Sequence, residues 1–322
     1  MPELPEVQTT ITGLSKVLPG LTIRDVWSDL PTMKITRSDY RDTIKYLPFW
    51  KKFKKEVTGK KILNVERRAK NILINISDGN PAKSAKADNG ASTILIHMKM
   101  TGHIMVGQYE LKKNTWLPHE KEKNNALRDP YNRFIHFVIV LTDGKHMVLS
   151  DTRKFAKVTL ISSKDAHNTV HLKGLGPEPL HKDFKLENFI DRLQTKKTGK
   201  IKSVLMDPTV IAGIGNIYSD EMLWLSGIHP EEQVVNIPKD KIKLLYNSMQ
   251  KVLAKGIDFG GDSMSDYRNV EGKRGKFQNH HNAYRKKGER CGKKGCHGVI
   301  IRKVIGGRSA HFCSVHQKLI KK

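Results

Sequence analysis

Met1-Pro2-Glu3-Leu4-Pro5-Glu6 runs without a linker into Val7-Gln8-Thr9-Thr10-Ile11-Thr12-Gly13-Leu14-Ser15-Lys16-Val17-Leu18. Val7, Ile11, Leu14 and Leu18 recur on one helical face, and Pro19-Gly20 stops the pattern. Burial of that stripe would tie the first residues to a folded element instead of leaving them as a tail. Pro2 follows an initiator methionine that is readily removed before so small a residue. Its secondary amine would then belong to the α-amino class, which titrates near pH ~7.7–8.0, so a useful fraction is free base at neutral pH. Such an amine attacks carbonyl-like carbon and leaves a cationic iminium, an electron sink. Glu3 is placed to move protons, and Glu6 lies one turn further on.

Beyond this start the pattern changes period. Residues 72–76, 93–98, 134–141 and 145–150 are short apolar runs bounded by polar turns, with Asp143-Gly144 as a hairpin turn between the last two. They predict a β-sandwich. Two polar segments, about 77–92 and about 108–130, interrupt it and read as surface-loop insertions. Gly174-Leu175-Gly176-Pro177-Glu178-Pro179 reads as a hinge. Helical spacing follows over 216–226 and 239–255, and the chain closes in a cysteine-bearing ribbon. The expected class is α+β and multidomain. The expected division is 1–165 for the sandwich with flanking helices, 166–180 for a hinge, 181–275 for a helical domain and 276–322 for a metal-bearing β-hairpin.

Composition limits the partners. The net charge is +26, from 58 Lys+Arg against 32 Asp+Glu. Residues 273–322 hold fifteen Lys/Arg and one acid, Glu289, interleaved with Phe277, Tyr284 and Phe312. A polyanion is the expected partner, and the aromatic interleaving favours nucleic acid over a membrane surface. No apolar run reaches the ~18 residues of a membrane span and no secretory pattern opens the chain, so a cytoplasmic, nucleoid-associated monomer is expected.

Cys291, Cys296 and Cys313 are the only cysteines. An odd number without a signal favours metal over a disulfide framework. Cys291 and Cys296, then Cys313 and His316, form two pairs on knuckles, which suits one tetrahedral, structural zinc. His297 and His311 are rival fourth ligands; His316 pairs with Cys313 at knuckle spacing. Gly306-Gly307-Arg308 between the pairs is a turn presenting an arginine. Gly213-Ile214-Gly215-Asn216 precedes a helix and exposes backbone N–H groups, which suits a phosphate or, more simply, an ordinary cap. Lys70, in Arg67-Arg68-Ala69-Lys70, is a strand-end cation. Met100, in His97 to Gly102, is by default packing. Asp151-Thr152-Arg153-Lys154-Phe155 joins an arginine to a ring able to stack on a base.

These stretches, in this order, resemble the bacterial formamidopyrimidine-DNA glycosylases of the helix–two-turns–helix superfamily, which also holds the endonuclease VIII type. The resemblance spans nearly the whole chain apart from the two insertions. It implies base excision repair of oxidised purines (8-oxoguanine, formamidopyrimidines) in duplex DNA, abasic sites included, with a Pro2 Schiff base and β,δ-elimination. It implies further roles: Glu3 as acid/base, Glu6 in lesion positioning, Lys70 and Arg308 at the reacting sugar and its phosphates. Met100, Arg153 and Phe155 would fill the space left by a flipped nucleotide. Lys197, Lys202 and Asn216 would hold phosphates. Residues 260–270 resemble the base-covering loop of the purine-directed enzymes. Two departures stand out: His316 replaces the family's usual fourth cysteine, and four residues rather than two separate the first cysteine pair. The competing readings are an oxidised-pyrimidine enzyme and a zinc-ribbon nucleic-acid-binding protein without catalysis.

Overall fold

The computed structural model describes residues 1–34, 38–77, 92–164, 168–264 and 266–320. Two compact units emerge. One comprises Met1–Pro2, Glu6–Lys173 and Gly260–Gly275; the other comprises Glu3–Pro5, Gly174–Phe259 and Lys276–Lys322.

The first unit contains two four-stranded antiparallel sheets. Strands β1 (Ile23–Ser28), β5 (His103–Gly107), β8 (Ile135–Leu141) and β9 (His146–Ser150) form one, in the order β1-β8-β9-β5. Strands β2 (Ile62–Arg68), β3 (Asn71–Ile76), β4 (Ser92–His97) and β10 (Lys157–Ser162) form the other, in the order β10-β4-β3-β2. Their facing side chains, among them Ile72, Ile74, Ile94, Ile96, Phe137 and Ile139, share one core. Val7, Ile11 and Leu14 of helix α1 (Leu4–Val17), with Leu18 just beyond it, enter that core as their spacing requires. So do Phe53 and Val57 of α2 (Leu47–Val57). Each fully buried aliphatic side chain contributes about 1.5–3 kcal/mol, so the stripe Val7, Ile11, Leu14 and Leu18 fixes this stretch firmly in the sandwich core.

Strand β8 is apolar on both faces, with a register shift between Ile135 and Phe137. Phe137, Ile139 and Leu141 face the shared core, whereas Ile135 and Val138 turn to a second cluster with Met105 and Val148. The second expected insertion covers this outer face. It forms strands β6 (Tyr109–Lys112) and β7 (Thr115–Pro118) and two short 3-10 turns, and it buries Tyr109, Trp116 and Leu127. Trp116 meets Trp27 edge-on, with ring centroids 6.1 Å apart. The expected surface loop is therefore a folded cover, because the sheet face beneath it is largely apolar. The expected insertion at 77–92 lies almost wholly outside the described residues.

In the second unit, helices α3 (Leu186–Gln194), α4 (Ile201–Met206), α5 (Asn216–Ser226) and α6 (Lys239–Asp258) surround a core that includes Phe189, Leu205, Tyr218, Leu223, Leu245 and Leu253. Gly227, at φ 71°, ends α5 in the left-handed conformation. Strands β11 (Ile300–Ile305) and β12 (Arg308–Cys313) form a hairpin whose two turn residues, Gly306 and Gly307, both have positive φ (55° and 74°). Such a two-residue turn favours glycine, which takes positive φ without steric cost. Among the described residues, no helix is long and apolar enough to cross a membrane.

Candidate active site and metal centre

Three turns of the sandwich unit carry Lys70, Met100 and the Arg153–Phe155 pair, and each contains a non-glycine residue in the left-handed region. These are Ala69 (φ 54°), Lys99 (φ 55°) and Lys154 (φ 55°), half of the six such residues described. L-residues rarely adopt this conformation, and it persists only where the surroundings enforce it. Here the enforcement is visible. Asp151, 1% exposed, accepts hydrogen bonds from the Thr101 hydroxyl, from Arg153 N (3.3 Å) and from Ala156 N (2.7 Å). Lys45 Nζ donates to the Lys154 carbonyl at 2.6 Å. Gly102 is required beside Met98, since a Cβ there would lie 2.4 Å from the Met98 carbonyl oxygen.

One carboxylate thus ties the Met100 turn to the Arg153–Phe155 turn. Met100 and Phe155 nevertheless remain 36% and 40% exposed. The Arg153 guanidinium lies 4.5 Å from the centroid of the Phe155 ring. Two large apolar side chains held out on braced turns, one backed by a cation, are equipped to enter a base stack. His97, at the foot of the Met100 turn, accepts from Lys99 N through Nδ1 at 2.9 Å. Burial, together with the Lys99 and Lys70 ammonium groups, pushes its pKa down to about 3, so it stays neutral.

Glu6, 1% exposed, belongs to the same unit. Its Oε1 accepts from Asp262 N at 2.7 Å, and its carbonyl accepts from the Tyr267 hydroxyl at 2.9 Å. The residue expected to position a lesion therefore grips the stretch expected to cover one. Pro2 is buried and Met1 is 40% exposed.

Glu3 belongs to the helical unit. Its carboxylate accepts from Ile217 N (2.9 Å) and Tyr218 N (3.4 Å), at the start of α5. The N-terminal N–H groups read as a phosphate cradle are met by this carboxylate, as charge and helix dipole favour. The glycines before α5 make room for it. A Cβ on Gly215 would sit 2.3 Å from Glu3 Cδ, and one on Gly213, at φ 89°, would sit 2.8 Å from Leu4 Cδ1.

Asn216 is half-buried at the first residue of α5, while Lys197 and Arg308 are exposed. Arg308 follows the glycine turn, and Gly306 packs so closely that an added Cβ would lie 2.5 Å from Ser203 Oγ. Lys202 departs from expectation. Its side chain is fully buried, and Nζ donates to Asp220 Oδ1 (2.5 Å), Ser219 Oγ (3.2 Å) and the Asn216 carbonyl (3.4 Å). An ammonium enclosed this way faces no solvent-borne phosphate; it braces the start of α5 beside Asn216. The other carboxylate oxygen of Asp220 accepts from His311 N (2.9 Å) and lies 3.0 Å from His311 Nδ1. This triad and Glu221, which accepts from Asn282, Ala283 and Tyr284 N, were not foreseen. Their only trace in the sequence was two acids on an otherwise apolar helix.

Cys291, Cys296, Cys313 and His316 converge, with their ligand atoms all within 4.8 Å of one another. Cys291 Sγ and Cys296 Sγ lie 3.4 and 3.7 Å from His316 Nδ1, and Cys296 Sγ lies 3.5 Å from Cys313 Sγ. A tetrahedron with metal–ligand bonds of 2.0–2.3 Å has edges of about 3.5–3.8 Å, so the set fits one metal ion. His316 Nε2 donates to the Trp224 carbonyl at 3.1 Å, which leaves Nδ1 as the ligand atom. The rivals fall away: His311 is engaged by Asp220 and His297 is exposed.

A sandwich carrying a braced apolar wedge, followed by a helical unit and a Cys3His hairpin, is the layout of the helix–two-turns–helix DNA glycosylases. Two family models match this chain: the formamidopyrimidine-DNA glycosylase N-terminal domain over residues 1–158 and the H2TH domain of the same enzymes over 175–268. The formamidopyrimidine-DNA glycosylase of Pelotomaculum thermopropionicum is 32% identical over 99% of this chain and 100% of its own length, and that of Bacillus cereus is 31% identical with the same coverage. Among solved structures, a Lactococcus lactis Fpg mutant bound to Fapy-dG-containing DNA aligns with a TM-score of 0.78 at 32% identity, covering 98% of this chain and all of the other. The L. lactis enzyme bound to abasic-site DNA aligns at 0.77. The chain belongs to the formamidopyrimidine-DNA glycosylase family.

Proposed function

We propose that this protein is a bifunctional DNA glycosylase and AP lyase of base excision repair that removes oxidised purines. The observation that carries the reading is the braced wedge: Met100 and Phe155 exposed on turns joined through Asp151 and Thr101. A glycosylase must take the damaged nucleotide out of the duplex, and an apolar wedge held ready lowers the cost of keeping the stack open. The net charge of +26 supplies non-specific attraction to the duplex.

The proposed chemistry follows from the first residues. With Met1 removed, the Pro2 nitrogen attacks C1′ as the N-glycosidic bond breaks, and the base leaves with a proton. Ring opening gives an iminium between Pro2 and C1′, which acidifies the C2′ proton. Loss of that proton expels the 3′ phosphate, and a second elimination expels the 5′ phosphate. Hydrolysis then frees Pro2. Glu3, held against the start of α5, is the acid/base in this scheme. Lys70 and Arg308 would meet the phosphates flanking the sugar, and Lys197 and Asn216 more distant ones. Lys202 acts behind Asn216 by bracing its backbone.

The Cys3His set fits zinc: thiolates and imidazole at tetrahedral spacing are its usual structural ligands. All four positions come from the chain, so the ion would hold the hairpin that presents Arg308 and take no part in the chemistry.

Replacement of Pro2 by glycine tests the scheme. The variant should lose most strand cleavage at an abasic site while binding the same duplex within about twofold of the original. Equal loss of both would contradict the nucleophile assignment. A duplex panel of 8-oxoguanine, formamidopyrimidine and oxidised-pyrimidine lesions tests the substrate class; faster excision of the pyrimidines would move the chain to the endonuclease VIII type.

A further inference from the structure

The insertion that covers the outer sheet also reaches the stretch 260–275, and every contact described here lies within the sandwich unit. Arg268, 2% exposed, donates to both carboxylate oxygens of Asp129, Nε to Oδ2 and Nη2 to Oδ1, each at 3.2 Å. The same guanidinium lies 4.8 Å from the Tyr131 ring centroid. Asn132, 2% exposed, donates through Nδ2 to the carbonyls of Ala126 (2.8 Å) and Gly272 (3.3 Å). Its Oδ1 is 2.9 Å from Nε2 of the buried His103 on β5. Asn124 Nδ2 donates to the Glu271 carbonyl at 2.8 Å. Gly272 has φ 76°, and a Cβ there would lie 2.8 Å from both Ala126 O and Asn132 Nδ2. Backbone and side chain of the two segments have therefore been fitted to one another.

Val106 N of β5 donates to Val270 O at 2.8 Å within this same segment, whereas towards the other end Asp262 N and the Tyr267 hydroxyl donate to Glu6. Glu6 thus fixes one leg, while residues 124–132 fix the other.

We infer that residues 124–132, the end of the insertion and the turn that follows it, are a specificity element: Asp129 and Asn132 position the base-covering loop and so set how well an intact damaged base is held. This inference rests on the proposed function, and on residues 260–270 acting there as the loop that covers the flipped base. A bidentate guanidinium–carboxylate pair is geometrically exacting, and loss of the half-buried Asp129 carboxylate takes the counter-charge from the buried Arg268 guanidinium, which keeps its bond to the Tyr267 carbonyl. A loop freed from this clamp would occupy its base-holding position for a smaller fraction of the time, and apparent affinity for the base falls by that fraction. An abasic sugar has no base to cover, so its cleavage does not depend on the loop.

Single-turnover cleavage by the original protein, Asp129→Asn and Asn132→Ala would be measured on two duplexes, one with 8-oxoguanine opposite cytosine and one with a preformed abasic site. The expected result is an excision rate on 8-oxoguanine lowered by about tenfold in each variant, with abasic-site cleavage within twofold of the original. Asn124→Ala, a milder lesion at the exposed rim, should show the same split at smaller size. Rates unchanged from the original on both duplexes, or a parallel fall on both, would overturn the inference. If the original protein cleaves the abasic duplex but leaves 8-oxoguanine intact, the proposed function fails, and the inference with it; that outcome is read on the unsubstituted chain.

Discussion

The carboxylate of Asp151 accepts a hydrogen bond from the hydroxyl of Thr101, which joins the turn carrying Met100 to the turn carrying Arg153 and Phe155. Neither Asp151 nor Thr101 need touch DNA, yet the two decide how the wedge stands. Replacement of Asp151 by alanine strands the buried Ala156 N–H and takes the acceptor from the half-buried Thr101 hydroxyl, while Arg153 N keeps its bond to Thr101 Oγ1. Each buried donor left unpaired costs about 1–3 kcal/mol. We expect a lower midpoint in urea unfolding and a fall in 8-oxoguanine excision larger than the fall in non-specific duplex binding. Unchanged excision would remove the wedge brace from the account.

Gly215 makes room for Glu3. Gly215→Ala would place a methyl group 2.3 Å from Glu3 Cδ, so the carboxylate must leave Ile217 N and Tyr218 N or the backbone must move. Overpacking of this kind costs about 1–3 kcal/mol. Cleavage should drop by at least about tenfold while circular dichroism still reports the helices. A fully active variant would show that Glu3 has no need of the α5 N-terminus.

The metal centre predicts one zinc per chain by elemental analysis. Cys296→Ala should lose it and weaken duplex binding by on the order of tenfold, because metal binding here is folding free energy for the hairpin that carries Arg308. His316→Cys should keep the metal. Retention of tight DNA binding after complete removal of the ion would separate the hairpin from the DNA surface.

Acid sensitivity should come from buried histidines. Burial is the main cause that pushes His103 down to about 4, below its ordinary 6.5. Between those values the unfolded chain binds the proton and the folded chain does not. Stability is therefore fully present above about pH 6.5 and declines as pH falls toward 4, by up to about 1.4 kcal/mol per pH unit for this group. Urea midpoints measured from pH 7.5 to 4.5 should fall accordingly, and His103→Gln should flatten the slope. A flat profile in the original protein would contradict the burial of a neutral His103.

The elements with strong period were legible in the sequence. Strands β3, β4, β8 and β9 and helices α1, α5 and α6 start or end within a few residues of their apolar patterns. Helix α2 is harder to read, because Lys51, Lys52, Lys54 and Lys55 interrupt its apolar residues Phe49, Trp50, Phe53 and Val57. At the site, the residue types that carry chemistry were visible, but the groups that hold them were not. Asp151 sits two residues before Arg153, the spacing of an Asx turn, which was the available sign of its role. Lys202 shows the opposite failure: a lysine near a basic run reads as a phosphate ligand until Asp220, eighteen residues away in sequence, is seen to enclose it. The polar stretch 108–130 hid its function because Tyr109, Trp116 and Leu127 are scattered without period, and only the apolar outer face of β8 explains them.

The central claim is covalent catalysis by Pro2, and borohydride trapping tests it most directly. The protein would be mixed with a duplex carrying one 8-oxoguanine opposite cytosine and reduced during turnover, and the crosslinked peptide mapped. Capture of DNA on Pro2, with Met1 absent, is the predicted result. No crosslink on this duplex or on an abasic one despite tight binding, or a crosslink on a lysine instead, would contradict it.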